Sequence, residues 1–235
     1  MLTDAFRSAA QRLFGSSAEK GDAELDYWRG RFADEEGTLG NVHFESLFTE
    51  QFGLDRSFFV GKRILDVGCG PRGSLEWADD AARRVGIDPL VEGYRELGID
   101  QHAMEYVGTP VEHLPFPDSS FDVVSSLNSL DHVDDLDAAV AEITRVLAPG
   151  GSFLLEVEFG HRPTPAEPIE IPADFAESLV PAFALASCER FALSDHQVHR
   201  AHAEKVPYRA SGRRRPGVLV ARLVKEPFDR PVAAP

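Results

Sequence analysis

The stretch Arg63-Ile64-Leu65-Asp66-Val67-Gly68-Cys69-Gly70-Pro71-Arg72-Gly73-Ser74 joins a short apolar run to a glycine-rich turn. Short apolar runs are typical of buried parallel strands, and glycines let a backbone approach a bound molecule closely. The stretch therefore predicts a strand, a tight turn and a helix over residues 75–81, whose free N–H groups would favour an anionic group. An ordinary strand-to-helix turn with structural glycines is the alternative interpretation.

The composition limits the partners that this chain is expected to bind. The 235 residues carry a net charge of −15, which argues against a dedicated nucleic-acid surface because phosphate contacts need concentrated Lys and Arg. The two cysteines, Cys69 and Cys188, show neither metal-ligand spacing nor a disulfide framework. We therefore predict a cytoplasmic protein with no metal ion, no membrane partner and no nucleic-acid partner. The sequence does not indicate an oligomeric state.

Strand-like and helix-like segments alternate on the C-terminal side of the turn. The predicted strands span residues 64–67, 82–87, 104–108, 121–127 and 152–159, followed by an edge pair at 183–193 and 218–224. Helices are predicted at 90–97 and, after the capping pair Asp134-Asp135, over residues 136–147. This alternation predicts an α/β fold with a doubly wound, mainly parallel sheet.

The N-terminal part has a different pattern, which predicts an N-terminal helical cap or lid over residues 1–58 and a second domain over 59–235. Helical spacing of apolar residues occurs in 1–16, 25–32 and 43–52. Side chains that often bind ligands are dense here, namely Tyr27, Trp28, Arg31, Asn41 and His43. They either cover a substrate site or fill a small core of the cap, and the sequence leaves both possibilities open.

The ligand class follows from the spacing around the turn. Gly68-x-Gly70-x-x-Gly73 matches a nucleotide-binding fingerprint, and Asp88 stands 20 residues after Gly68, where an acid can bind ribose hydroxyls. These residues fit either a nicotinamide dinucleotide or S-adenosylmethionine (SAM). Asp66 favours SAM, because it could receive a charged amino group that a dinucleotide lacks.

Further motifs occur in order after the turn. They are Leu114-Pro115-Phe116, Phe121-Asp122 and Arg145-Val146-Leu147-Ala148-Pro149-Gly150-Gly151. With the acid-x-Gly-x-Gly turn, they make residues 63–159 resemble the core of the class I SAM-dependent methyltransferases. The resemblance implies a seven-stranded sheet of order 3-2-1-4-5-7-6 and SAM as cofactor. It also implies methyl transfer to an oxygen or nitrogen of a small molecule or soluble precursor.

The resemblance also implies roles for individual residues. The implied cofactor-binding residues are Asp66, Gly68, Cys69 and Gly70 toward the methionine part, Asp88 and Pro89 toward the ribose, Val111 and Glu112 toward adenine, and Asn128 and Ser129 at the methyl end. Two positions depart from the family pattern. Pro110 stands where an Asp often accepts from adenine, and Arg72 stands where the third glycine usually lies. Arg72 could reach the cofactor carboxylate or an acceptor group, but an exposed turn residue is the slightly favoured interpretation.

Candidate catalytic residues follow the fourth and fifth predicted strands, because ligands bind beyond the carboxyl ends of parallel strands. Asp131 and His132 follow the fourth strand, and His161 and Glu167 follow the fifth. A histidine can take a proton near neutral pH, and His161, in a proline-rich loop, is the first choice. Asp131 could instead only start a turn, and a histidine at position 132 is often structural in this family. Glu167 is predicted to contact the substrate.

Two other functions remain compatible with these motifs. An NAD-dependent oxidoreductase would use the same glycine fingerprint and the same acid at position 88. A non-catalytic SAM-binding protein would also retain them, since these residues define a pocket without establishing turnover.

Overall fold

The computed structural model describes residues 17–193, 204–209 and 215–226, with residues 198 and 201, and contains a seven-stranded sheet. The predicted helix at 1–16 lies outside the described residues. The strands are β1 (Arg63–Val67), β2 (Arg83–Ile87), β3 (Glu105–Val107), β4 (Phe121–Leu127), β5 (Leu147–Phe159), β6 (Phe183–Ala192) and β7 (Gly217–Lys225).

The order of the sheet is β3-β2-β1-β4-β5-β7-β6, which confirms the order implied by the resemblance. The neighbours from β3 to β5 pair in parallel, whereas β7 pairs antiparallel with both β5 and β6. The chain leaves β1 for β2 on one side and places β4 on the other. The carboxyl ends of β1 and β4 therefore flank the crevice where ligands bind in such sheets.

Short helices surround the sheet. They are α1 (Ser17–Asp34), α2 (Phe44–Phe48), α3 (Val91–Tyr94), α4 (Leu136–Val146) and α5 (Phe175–Ser178). α4 begins as predicted, because the Asp135 side chain accepts a hydrogen bond from the Ala138 N–H at 3.0 Å. Its buried face, which includes Ile143 and Val146, packs into the core beneath the sheet.

The helix predicted over residues 75–81 is absent, and this prediction was wrong. Residues 74–77 form turns instead. Glu76 N–H donates to Gly73 O at 3.0 Å and Ala78 N–H to Leu75 O at 3.2 Å, so each bond spans three residues where a helix would span four. Leu75 and Ala78 are buried in a cluster with Phe59, and that packing holds the irregular path. The site therefore has no helix N-terminus after β1.

The N-terminal helices share their cores with the sheet domain. Phe48 and Phe52 are buried in one cluster with Ile64 of β1, while Leu25 and Trp28 of α1 pack against a cluster around Tyr94. Among the described helices, none combines the length and apolar character that crossing a membrane requires. The domain division at residue 58 stays a prediction.

Candidate active site

Asp66 is held at the carboxyl half of β1 by two hydroxyl groups. Its buried carboxylate accepts hydrogen bonds from Ser74 Oγ at 2.5 Å and from Ser125 Oγ at 2.8 Å. Burial raises the pKa of Asp66 to about 6, although the two hydroxyl bonds oppose that rise. The two serines thus fix the acid of the motif and tie the segment after β1 to β4.

The glycine turn, residues 68–73, needs glycine for two separate reasons. Gly68 has φ +69°, and a Cβ there would lie 2.4 Å from Ser129 Cβ. Ser129 is itself fixed, because its hydroxyl donates to Val67 O at 2.7 Å. Gly70 has φ +57°, and a Cβ there would lie 3.3 Å from the Trp28 ring. The turn is therefore pressed between the loop after β4 and the cap helix α1.

Asp88, at the end of β2, is buried beside the glycine turn. Its carboxylate accepts from Leu90 N–H at 2.9 Å and from Gly70 N–H at 3.3 Å. Burial, together with the negative charge of Glu24 on α1, raises the pKa of Asp88 to about 7. The acid predicted to bind ribose is thus part of the same wall as the turn.

Arg72 points inward and clamps the cap onto the turn. Its guanidinium donates to both carboxylate oxygens of Glu35, at 2.8 and 2.6 Å, and to Gly40 O at 2.8 Å. The guanidinium carbon also lies 5.4 Å from the centre of the Trp28 ring, and only 11% of the side chain is exposed. Hydrogen bonds from Arg72 lower the pKa of Glu35 to about 2. The slight preference of the sequence interpretation for an exposed Arg72 was wrong. We call the Arg72–Glu35 pair the cap latch.

The remaining predicted cofactor residues differ in their exposure and contacts. Val111 is buried, while Asn128 is exposed with φ +55° and Pro89 is exposed. Cys69 is buried. Glu112 accepts from Asp134 and Asp135 N–H groups at 2.8 and 3.1 Å, so its carboxylate caps the segment leading into α4. Their roles toward a cofactor stay predictions.

The predicted lid residues make local contacts. Arg31 pairs with Glu35, Asn41 Nδ2 donates to Glu76 at 2.7 Å, and the His43 ring stacks on Phe44. Tyr27 is 59% exposed. Asn41 therefore secures the loop after α1 to the segment that follows the glycine turn. Substrate contact by these residues stays a prediction.

Four predicted residues converge at the ends of β4 and β5. We call them the strand-end cluster, and they are Asp131, His132, His161 and Glu167. His161 Nε2 lies 3.8 Å from Asp131 Oδ2, and its Nδ1 lies 4.0 Å from Glu167 Oε2. His132 Nε2 lies 3.9 Å from Asp131 Oδ1. The proximity expected from the strand-end rule is thus observed.

The cluster is enclosed by the proline-rich loop after β5. Ile169 N–H donates to Asp131 O at 3.2 Å, which folds the loop back over the end of β4. Only 1% of the Asp131 side chain and 7% of the His161 side chain are exposed, against 28% for His132. Burial raises the pKa of Asp131, and the charges of the two histidines oppose that rise. Asp131 and His161 are thus shielded from solvent, whereas His132 and Glu167 are partly exposed.

Sequence reasoning did not identify Ser74, Ser125 or Glu35. The signal for Ser125 was present, since a hydroxyl inside a buried apolar strand must find a hydrogen-bond partner. Glu35 carried no such signal, because its pairing with Arg72 spans 37 positions of sequence.

Comparisons with known proteins agree with this architecture. Residues 65–155 match the family model described as a methyltransferase domain. The 27-O-demethylrifamycin SV methyltransferase of Amycolatopsis mediterranei is 32% identical over 173 residues, covering 69% of this chain and 58% of that protein. The ubiquinone/menaquinone biosynthesis C-methyltransferase of Shewanella piezotolerans is 40% identical over 88 residues, covering 37% and 33%.

A solved structure supports the fold. The YcgJ protein from Bacillus subtilis superposes with a TM-score of 0.55 at 18% identity, covering 76% of this chain and 99% of that chain. The chain spans about a third of the length of the Shewanella relative and somewhat over half of the length of the Amycolatopsis relative.

Proposed function

Residues 65–155 form a class I SAM-dependent methyltransferase domain whose cofactor is SAM. We propose that the chain catalyses methyl transfer from SAM to an oxygen or nitrogen of a small molecule or soluble precursor. One observation supports this most strongly. The strand-end cluster begins two residues after Ser129, which contacts Gly68 of the glycine turn. The cofactor wall and a group of proton-accepting side chains are therefore adjacent.

The residues present fit SAM. Asp88 accepts from two backbone N–H groups, and since a carboxylate has roughly four acceptor positions, about two remain for ribose hydroxyls. Gly68 and Gly70 lack a Cβ, which lets neighbouring groups approach the backbone of the turn closely, as the Ser129 side chain and the Trp28 ring do. Asp66 would face the amino group of the methionine part. When bound, SAM supplies a methyl group on a positively charged sulfur, which makes the methyl carbon electrophilic.

We assign proton acceptance to His161. Asp131 and Glu167 lie on opposite sides of its ring, at 3.8 and 4.0 Å, and their charges would compensate an imidazolium ion. A hydroxyl or amine acceptor would lose its proton to this ring as its oxygen or nitrogen bonds the methyl carbon, and the bond from that carbon to sulfur breaks. Holding the acceptor atom in line with the methyl group and the sulfur would supply much of the rate enhancement over the uncatalysed reaction.

The curated relatives include C-methyltransferases, in which carbon would be the acceptor. A strand-end cluster rich in proton acceptors favours oxygen or nitrogen here, because those atoms usually carry a proton that must leave.

The two free cysteines fit a reduced, cytoplasmic setting, which we include in the proposal.

The test combines cofactor binding with turnover. Calorimetry should give a binding signal with S-adenosylhomocysteine (SAH) and none with NAD. Incubation with methyl-labelled SAM and a panel of phenols, carboxylic acids and amines should yield a labelled product. Binding of NAD alone would favour an oxidoreductase. Binding of SAH without transfer to any acceptor class would favour a non-catalytic SAM-binding protein.

A further inference from the structure

The carboxylate of Asp131 faces both histidines of the strand-end cluster. Its Oδ2 faces His161, while its Oδ1 faces His132 Nε2 at 3.9 Å. Oδ1 is buried, and it has no hydrogen-bond partner within the described part of the chain. A buried carboxylate oxygen without a donor is costly, so a missing positive group is expected on that side.

Asp131 and two neighbouring side chains bring together atoms that can ligate a metal. One carboxylate oxygen of Asp131, one imidazole nitrogen of His132 and one carboxylate oxygen of Glu167 all lie within 4.8 Å of one another. Donors about 2.1 Å from a tetrahedral cation lie roughly 3.4 Å apart, so shortening the longest separations by at most about 1.4 Å would complete the site. Glu167 and His132 are partly exposed and can make that shift.

We propose that Asp131, His132 and Glu167 form a binding site for one divalent transition-metal cation. Two carboxylates balance the charge of such a cation, and the imidazole favours zinc-like metals over Mg²⁺. His161 then takes the position of an outer partner, because it contacts the carboxylates of two ligands and is not itself one of the three.

Three protein ligands leave at least one coordination position open, as in catalytic zinc sites. An oxygen of the methyl acceptor could occupy that position, which would hold it near the glycine turn. This role rests on the proposed function, whereas cation binding itself does not require SAM. No local sequence pattern indicates the site, since its ligands follow two different strands and have no recognisable metal spacing.

The experiment is a calorimetric titration of the full chain, stripped of metal with EDTA, with Zn²⁺. We expect one site per chain, bound at least 100-fold more weakly by Asp131→Asn and Glu167→Gln. Glu170→Gln and His113→Asn are the controls, since both change exposed residues that are not among the three ligands. Glu170 lies three positions after Glu167, and His113 lies between β3 and β4. They should leave the affinity within about twofold. Mg²⁺ should bind more weakly than Zn²⁺.

Absorption of the Co²⁺-loaded wild-type chain provides a second measurement if Asp131→Asn fails to fold. Intense visible bands of four-coordinate Co²⁺, lost in Glu167→Gln, would support the site. The weak spectrum of hydrated Co²⁺, or equal Zn²⁺ affinity in all four variants, would overturn it. Absent cation binding with intact SAH binding and methyl transfer rejects only the cation site. Cation binding without SAH binding rejects only the proposed function.

Discussion

The glycine turn and the strand-end cluster are neighbours, yet their polar groups are held very differently. Around the turn, Asp66 and Ser129 make hydrogen bonds of 2.5 to 2.8 Å to groups of the chain itself. In the cluster, His161 Nδ1 lies 3.0 Å from Arg162 O, but the separations between the charged side-chain atoms are 3.8 to 4.0 Å, longer than a hydrogen bond. Under the proposed function, the cofactor side is thus assembled largely by the protein itself, whereas the charged atoms of the acceptor side are spaced so that a ligand would complete them.

Substituting Gly68 should have the largest effect, because it places a new side-chain atom in the closely packed glycine turn. In Gly68→Ala the new Cβ would lie 2.4 Å from Ser129 Cβ at φ +69°. Backbone strain and overpacking together should cost roughly 2–4 kcal/mol of unfolding free energy, measured in urea. SAH binding should fall below detection, since either the turn or the loop after β4 must move.

Gly61→Ala is the matched control. Gly61 has nearly the same φ, +68°, but a Cβ added there would meet no atom within 4 Å. It should therefore lose only about 1 kcal/mol, the cost of the backbone conformation, and keep SAH affinity. Equal losses in the two variants would show that the Ser129 contact is unimportant.

Replacing His161 tests the proposed acceptor side. In His161→Asn the ring that accepts the proton is removed, so kcat for an oxygen or nitrogen acceptor should fall about 10²- to 10⁴-fold. SAH affinity should stay within about twofold, because His161 is not part of the glycine turn. His113→Asn, which changes an exposed histidine, should match wild type. Unchanged turnover in His161→Asn would remove this residue from the mechanism.

The difference between the two sides also explains what the sequence could predict. The turn, β4 and the α4 cap are each encoded by residues that lie close together in sequence, so a local pattern identified each of them. The convergence of Asp131 and His161 followed from the rule that parallel strands end at one edge. The inward path of Arg72 and the turns that replace the helix after β1 depend on Glu35 and Phe59, which lie far from them in sequence. Pairings of that kind leave no local pattern.

A smaller effect is expected from pH on the cofactor side. Asp88 has a pKa raised to about 7 and Asp66 one raised to about 6, so both carry a proton at lower pH. Ribose hydroxyls donate best to the ionised carboxylate, and SAH affinity should therefore fall as pH drops below 7, by at most about tenfold per unit. Calorimetry across this range measures it. Asp88→Asn should bind more weakly but lose the dependence near pH 7, and an unaltered pH profile would contradict the assignment.

The smallest effect should come from the cap latch, which joins the glycine turn to the end of α1 and makes no contact with Asp66 or Asp88. Arg72→Lys removes the paired hydrogen bonds to Glu35 while keeping the charge, so SAH should bind roughly 3- to 10-fold more weakly, mainly through faster dissociation. Stopped-flow displacement measures that rate. Arg31→Lys, which alters the exposed partner of the same Glu35, should leave it unchanged. Because the latch acts through the turn and not through the cluster, kcat at saturating SAM should be equal in both variants. A reduced kcat in Arg72→Lys alone would instead extend the influence of the cap to the strand-end cluster.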